Sequence, residues 1–387
     1  MLTAFLLAVN SAKLTIPVVS LYASAPTFFT VWSLLRFITF ICFPRHIYRR
    51  CDDHLYSIYQ RFVLFFFQNW VNVKAVIAST QHSAPAQHLF STYLGPAQHL
   101  SQGVDWVITN MLAIQQGSLG HIRHVLKNDL KWIPFYGFYL QQHGCIYVRR
   151  NDKGDLNRVE KGMRQVLNNG LPVWLVIFPE GTRYNPVNNK DAIERSRTFA
   201  QQKDLSPLDY VLYPRSGATV SAIKALKDKL DAVYDVTIMY NQTYDNDRQI
   251  RLAAPSMSEY LSGQTNELHI DIRRFRINEI PNEINEEISN WLYQRYYLKD
   301  KLLKEFYEFQ KTKQTDSIIF KSDKDDIPFE IELPLRETIF SCIFFTLTTL
   351  PLLITERGRS IYWKFCLFGT PVTLLWMHLF PPLKNEN

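Results

Sequence analysis

The chain has 387 residues, with 43 Lys+Arg against 36 Asp+Glu for a formal charge of +7, and 14% of it is aromatic. Such a length buries one large core or two modest ones, and the basic balance suits an anionic membrane surface or phosphorylated ligands. Nucleic acid is set aside, because the chain carries no zinc spacing, helix-turn-helix pattern or aromatic–basic RNA motif. The cysteines Cys42, Cys51, Cys145, Cys342 and Cys366 have no paired spacing and read as reduced structural thiols, with no metal site expected.

The amino-terminal stretch Leu14–Phe43 is apolar apart from Arg36 and is interrupted by Pro17 and Pro26. It exceeds the roughly 20 residues of one crossing, so it reads as one tilted span or as a broken hairpin in one leaflet. It lacks a basic n-region and a small-residue cleavage site, so no removable signal peptide is expected. Arg45, His46, Arg49 and Arg50 follow at once and place that side in the cytosol. Phe62–Phe67 and Trp70 continue the aromatic character on a helix.

From Val71 to about Asn290, β-rich runs alternate with amphipathic ones, which predicts an α/β sheet. Strands are expected at Val73–Ile77, Phe90–Leu94, Cys145–Val148, Val173–Phe178, Val211–Tyr213, Val233–Tyr240 and Leu268–Ile272. Helices are expected at Trp106–Gln115, Gly154–Asn168, Asp191–Lys203, Gly217–Lys229 and Asn282–Tyr307. Thr312–Pro328 is charged and polar and reads as a linker. Two further apolar runs, Thr338–Thr355 and Ile361–Phe380, flank Glu356-Arg357-Gly358-Arg359 and contain Pro351 and Pro371. Two full crossings and a shallow re-entrant hairpin both fit that pattern. The expected organisation is a membrane segment at 1–44, an α/β domain at 45–310, a linker at 311–335 and a membrane hairpin at 336–387.

The strongest local signal is Leu171–Pro186, LPVWLVIFPEGTRYNP. A buried strand ends in Pro179-Glu180-Gly181-Thr182-Arg183, where Pro179 stops ladder bonding and Gly181 lets backbone approach a ligand. Open α/β sheets bind ligands at that carboxyl edge. The string FPEGTR resembles the signature of the glycerolipid acyltransferases (PlsC-like) that acylate lysophosphatidic acid. The stretches ITNMLAIQQGSLGHIRHVLKNDLKWIPFYG, QQHGCIYVRR, YDVTIMY and YQRYYLKDKLLKEFY extend that likeness over nearly the whole chain. The resemblance implies a PlsC-like α/β domain with a mixed β-sheet flanked by helices, and apolar membrane helices at both ends. It implies an acyl-CoA-dependent enzyme converting 1-acylglycerol-3-phosphate to phosphatidic acid, with acyl-CoA as co-substrate and no cofactor. The expected partners are therefore acyl-CoA, a lysophospholipid and a phospholipid membrane, in the endoplasmic reticulum or mitochondrial outer membrane, with the catalytic domain cytosolic.

In that family the base is the His of an Asn-His-x4-Asp motif, whose Asp orients the ring as in a serine-type triad, with the substrate alcohol in place of serine. Here the matching residues are His99 and Asp105, but the spacing is His-x5-Asp and Gln98 replaces the asparagine. Pro85–Leu89 and Pro96–Leu100 both read PAQHL, so His88 is a second copy, a poorer candidate because the matching strand and the Asp lie well beyond it. Gly103 is expected to absorb the extra residue as a bulge. The resemblance further makes Arg150 and Arg183 a clamp on the acceptor phosphate, a task that suits guanidinium because it binds bidentately and keeps its charge. Arg149 and Lys131 are weaker candidates, as is Arg215 beside Pro214. Glu180 holds the loop or touches the glycerol, and Gly181 and Thr182 line the substrate. Two alternatives stand beside this reading: the same chemistry on another lysophospholipid (lysocardiolipin or lysophosphatidylinositol), or a non-catalytic relic created by the altered motif.

Overall fold

The computed structural model describes residues 2–80, 90–94, 103–149, 155–168, 172–265, 267–312 and 328–379. His88, His99, Arg150 and most of the expected linker lie outside the described residues. Among the described residues, ten strands run in chain order: β1 (Lys74–Thr80), β2 (Phe90–Leu94), β3 (Ile122–Lys127), β4 (Ile146–Val148), β5 (Val173–Ile177), β6 (Ala232–Tyr240), β7 (Tyr244–Asp245), β8 (Ile250–Arg251), β9 (Glu267–Arg276) and β10 (Phe329–Glu330). The α-helices are α1 (Leu2–Cys42), α2 (Arg45–Leu64), α3 (Asp105–Gln115), α4 (Tyr136–His143), α5 (Asp155–Asn168), α6 (Lys190–Gln202), α7 (Gly217–Leu226), α8 (Met257–Leu261), α9 (Asn285–Thr312), α10 (Ile339–Ile354) and α11 (Glu356–Leu379). The chain forms two compact units, one of Met1–Val71, Asn110–Leu171 and Leu333–Asn387, the other of Asn72–Thr109 and Pro172–Glu332.

The second unit is built on a mixed sheet in the order β10-β1-β9-β6-β2-β5. β2 pairs in parallel with both β5 and β6, β1 pairs in parallel with β9, and β6 pairs antiparallel with β9 from Ala232↔Arg276 to Tyr240↔Leu268. All five residues of β5 and all nine of β6 are buried. That is the result expected of strands rich in β-branched and aromatic residues and covered on both faces, with Asp235 and Thr237 the polar residues of β6. Helix α9 packs on this sheet through charge as well as apolar area. Arg295 Nε and Lys299 Nζ reach the buried Asp235 of β6 at 2.8 and 2.6 Å, and Lys299 also donates to the Val236 carbonyl at 2.7 Å. The α/β fold with helices flanking a mixed sheet is thus as the sequence predicts.

Besides the short elements α4, α8, β7, β8 and β10, which were not expected, two differences turn on buried polar groups. Val211–Tyr213 is a buried loop, not a strand, because its amides are taken by side chains: Val211 donates to Asp300 Oδ1 at 3.2 Å and Tyr213 to Ser196 Oγ at 2.8 Å. β3 was not anticipated, since IRHVLK puts Arg123 and His124 where a buried strand calls for apolar residues. Both are nevertheless buried in the first unit. There Arg123 pairs with Asp53 and contacts His143 Nε2 at 2.7 Å, while His143 Nδ1 meets Asp52 Oδ2 at 2.7 Å and Trp32 Nε1 donates to Asp52 Oδ1 at 3.0 Å. Burial alone would raise the Asp52 carboxyl, but His143 and Arg123 more than offset it and hold it below its ordinary value. A buried charge survives only when so paired.

Helix α1 is continuous through Pro17 and Pro26, so the broken-hairpin alternative does not hold. Its segment Ser11–Cys42 is long and apolar enough to cross a membrane. Of its two charged residues, Lys13 and Arg36, the latter lies over the Tyr48 ring at 4.2 Å. α10 and α11 meet at a bend of 102° and are long and apolar enough to cross a membrane only when taken as a pair. Within this unit Phe345 packs between Tyr59 and Phe62 at ring distances of 5.2 and 5.1 Å, and Thr349 hydrogen-bonds Thr27 at 3.0 Å. Large side chains remain exposed on both apolar sections, including Phe37, Phe40, Phe340, Leu347, Trp363 and Leu367.

Candidate active site

The Pro-Glu-Gly-Thr-Arg loop leaves the carboxyl end of β5. Gly181 has φ +70, a conformation open to glycine and strained for other residues, and its amide donates to the Phe178 carbonyl at 3.2 Å. Asn189, just before α6, ties the loop down by donating to Thr182 Oγ1 at 3.2 Å and to the Arg183 carbonyl at 3.1 Å. The Arg215 amide donates to the Pro179 carbonyl at 2.8 Å, which fixes the Tyr213-Pro214-Arg215 segment against the same turn. Between them lies a cleft of about 310 Å³ lined in part by Glu180, Thr182, Tyr213, Pro214 and Arg215.

Asp105 opens α3, where a negative charge complements the helix dipole. It is 1% exposed, and Tyr240 at the end of β6 donates to its Oδ1 at 2.6 Å. Its Oδ2 is buried with no hydrogen-bond partner among the described residues. Burial pushes the Asp105 carboxyl up to about 7, with the Tyr240 hydroxyl, Arg183 and Arg251 pulling the other way. Gly103, two residues before it, pairs with Ser256 in an isolated antiparallel bridge.

Glu180 is also buried, held by the Leu212 amide, with Oε1 unsatisfied among the described residues. Burial pushes its carboxyl up to about 8, opposed by Arg251 and reinforced by Asp105. Arg183 is half-buried, and its Nε finds no hydrogen-bond partner among the described residues. Burial lowers its guanidinium from the ordinary value, while Asp105 and Glu259 act to raise it. Asp105, Glu180, Gly181, Thr182, Arg183 and Arg215 therefore all belong to the second unit, and the first, second and fifth of them share one electrostatic environment with Arg251.

Lys131 lies in the first unit, over the Trp132 ring at 4.8 Å. Partial burial, Arg149 and Arg158 hold its ammonium below the ordinary value. Gly137 lies so close to the Lys131 carbonyl that any side chain there would collide with it, which accounts for the glycine in this block. Two polar residues at the site were not singled out from the sequence. Tyr240 carried a signal, since it ends a buried strand at the ligand-binding edge of an α/β sheet. Arg251 carried none: it sits on the two-residue strand β8, buried, bonded to the Tyr210 carbonyl and 5.1 Å over the Tyr184 ring.

A buried carboxylate with one oxygen unsatisfied among the described residues, acted on by a half-buried guanidinium at a sheet edge, suits assisted proton removal beside an anionic group. The chain belongs to the acyltransferase family: the family model described as Acyltransferase matches residues 93–241, and that described as Acyltransferase C-terminus matches 259–330. It is 39% identical over 376 residues to the mouse (Mus musculus) 1-acyl-sn-glycerol-3-phosphate acyltransferase epsilon, covering 97% of this chain and 99% of that protein. It is 30% identical over 281 residues to the probable 1-acyl-sn-glycerol-3-phosphate acyltransferase 5 of Arabidopsis thaliana, covering 71% of this chain and 68% of that one. It is 28% identical over 209 residues to the chicken (Gallus gallus) lysocardiolipin acyltransferase 1, covering 53% of this chain and 51% of that one.

Proposed function

We propose that this acyltransferase moves an acyl group from acyl-CoA to the free hydroxyl of 1-acylglycerol-3-phosphate, giving phosphatidic acid and CoA. The observation that carries this reading is Asp105, buried and fixed through one oxygen, with the other unsatisfied among the described residues and Arg183 close by. His99 takes the hydroxyl proton as the oxygen attacks the thioester carbonyl. Asp105 orients the ring and stabilises its charged form. The tetrahedral intermediate then collapses, the carbon–sulfur bond breaks, and the proton held by His99 leaves with the CoA thiol. Arg183 and Arg150 hold the acceptor phosphate, with Lys131, Arg149 and Arg215 as further cations, and Glu180 holds the loop on which Gly181 and Thr182 line the substrate. The names of the mouse and Arabidopsis relatives support this acceptor, and that of the chicken relative supports lysocardiolipin as the second reading.

The test is acyl transfer by purified protein presented with lysophosphatidic acid, lysophosphatidylinositol and monolysocardiolipin, each with a range of acyl-CoAs. Lysophosphatidic acid should give the highest kcat/KM, and a higher value for another acceptor would replace it. If the protein is inert with every acceptor, yet deleting one residue between His99 and Asp105 creates activity, the chain is a relic.

The same reading makes it an integral protein of the endoplasmic reticulum or mitochondrial outer membrane, held at both ends with Arg45, His46, Arg49 and Arg50 on the cytosolic side. The exposed apolar side chains of α1, α10 and α11 support this. In the 102° corner between α10 and α11, Arg359 donates to the Ile354 carbonyl at 2.8 Å. Such a bend suits a hairpin dipping into one leaflet better than two straight crossings. Alkaline carbonate extraction of membranes should leave the protein in the pellet; release into the supernatant would show peripheral attachment instead.

A further inference from the structure

We propose that Tyr240 is a positioning residue for acyl transfer, its phenolic hydroxyl fixing the Asp105 carboxylate so that Oδ2 is the oxygen presented to the catalytic histidine. The inference rests on the histidine–aspartate reading above and adds a third member to it, drawn from the far end of β6, all nine of whose residues are buried. An Asp side chain turns easily about its last torsion, whose preference is broad. A carboxylate meant to hold an imidazole in one tautomer needs that freedom removed. The Tyr240 hydroxyl removes it with a 2.6 Å bond to Oδ1. Oδ2 then stays buried with no partner among the described residues. A buried acceptor left unsatisfied costs roughly 1–3 kcal/mol, so a partner is expected there in the working enzyme.

Tyr240 is itself well anchored. Its ring is 2% exposed, its backbone is in register with Leu268 of β9, and its carbonyl accepts from Thr243 Oγ1 at 2.8 Å. The bond therefore transmits the rigidity of the sheet to the head of α3. A phenol also suits the task chemically, since it donates a strong hydrogen bond to an anion without adding a positive charge. The charged groups acting on Asp105 are Arg183 and Arg251, and Glu180 is the neighbouring acid coupled to it. Beside the two arginines, the phenol is the neutral contribution that opposes the upward push of burial on the carboxyl. Without it the carboxyl should hold its proton to higher pH and lose its hold on the imidazolium.

The experiment is Tyr240→Phe, which keeps the ring and deletes the hydroxyl. We expect kcat to fall roughly 10–100-fold with KM for acceptor and acyl-CoA unchanged, as for loss of one hydrogen bond to a charged group. The acid limb of the kcat/KM profile should move to higher pH, so that the gap to wild type narrows at pH 9. A purely structural tyrosine would lower activity without moving that limb. A second readout needs no turnover: the infrared carbonyl band of protonated Asp105, identified by its absence in Asp105→Asn, should titrate at higher pH in Tyr240→Phe than in wild type. An unmoved band together with an inactive Asp105→Asn overturns the role of Tyr240 alone. Full activity of Asp105→Asn overturns the histidine–aspartate reading, and the role of Tyr240 with it.

Discussion

His99→Ala should lower kcat by about 10²–10⁴-fold, the usual worth of a general base, while folding and membrane attachment persist. The geometry that leads to this is the waiting partner. Asp105 is locked at the head of α3 by Tyr240 and keeps Oδ2 unsatisfied among the described residues. A neutral imidazole with Nδ1–H toward that oxygen would expose Nε2 to the acceptor hydroxyl. Asp105→Asn should cost nearly as much, because the amide presents a donor or a weaker acceptor and releases the tautomer. His88→Ala should be close to silent. The measurement is single-turnover or steady-state acyl transfer by the three variants in matched membranes. Loss of activity in His88→Ala with retention in His99→Ala would move the base to the first copy of PAQHL.

Arg183→Ala should reduce kcat/KM for the phosphate-bearing acceptor by about 10–150-fold, the equivalent of roughly 1.5–3 kcal/mol for one charge-assisted contact, and leave acyl-CoA use nearly intact. Arg183 emerges from a turn set by the positive φ of Gly181 and tied down by Asn189, so its side chain begins from a rigid base. It forms no ion pair within 4.0 Å among the described residues, and its Nε is unsatisfied there. A guanidinium kept partly buried and uncommitted in this way is suited to an incoming dianion. Arg150→Ala should show the same selective loss if the clamp is shared. Arg183→Lys should recover only part of it, because an ammonium supplies charge without the bidentate fork. Equal loss with neutral and phosphorylated acceptors would argue instead for a loop that has collapsed.

The sequence by itself determined the parts whose chemistry is local. Val173–Ile177 followed by Pro-Glu-Gly-Thr-Arg announces a buried strand and a tight loop, because apolar β-branched residues, a missing amide and a glycine act on their immediate neighbours. The same holds for α3, for β2 and β6, and for the long apolar run of α1. Where the partner lies far along the chain, tertiary structure decided. β3 is a strand because Asp53 and His143 satisfy Arg123 in the interior, a pairing that no window of neighbouring residues contains. Val211–Tyr213 is no strand because Asp300 and Ser196 take its amides before a ladder can. Tyr240 and Asp105 are 135 positions apart and Arg251 sits on a two-residue strand, so the environment of the site carboxylate was invisible to spacing and periodicity alike. Sequence patterns report which residues will be buried; only the fold decides which buried polar groups meet, because each must find its partner wherever the chain returns.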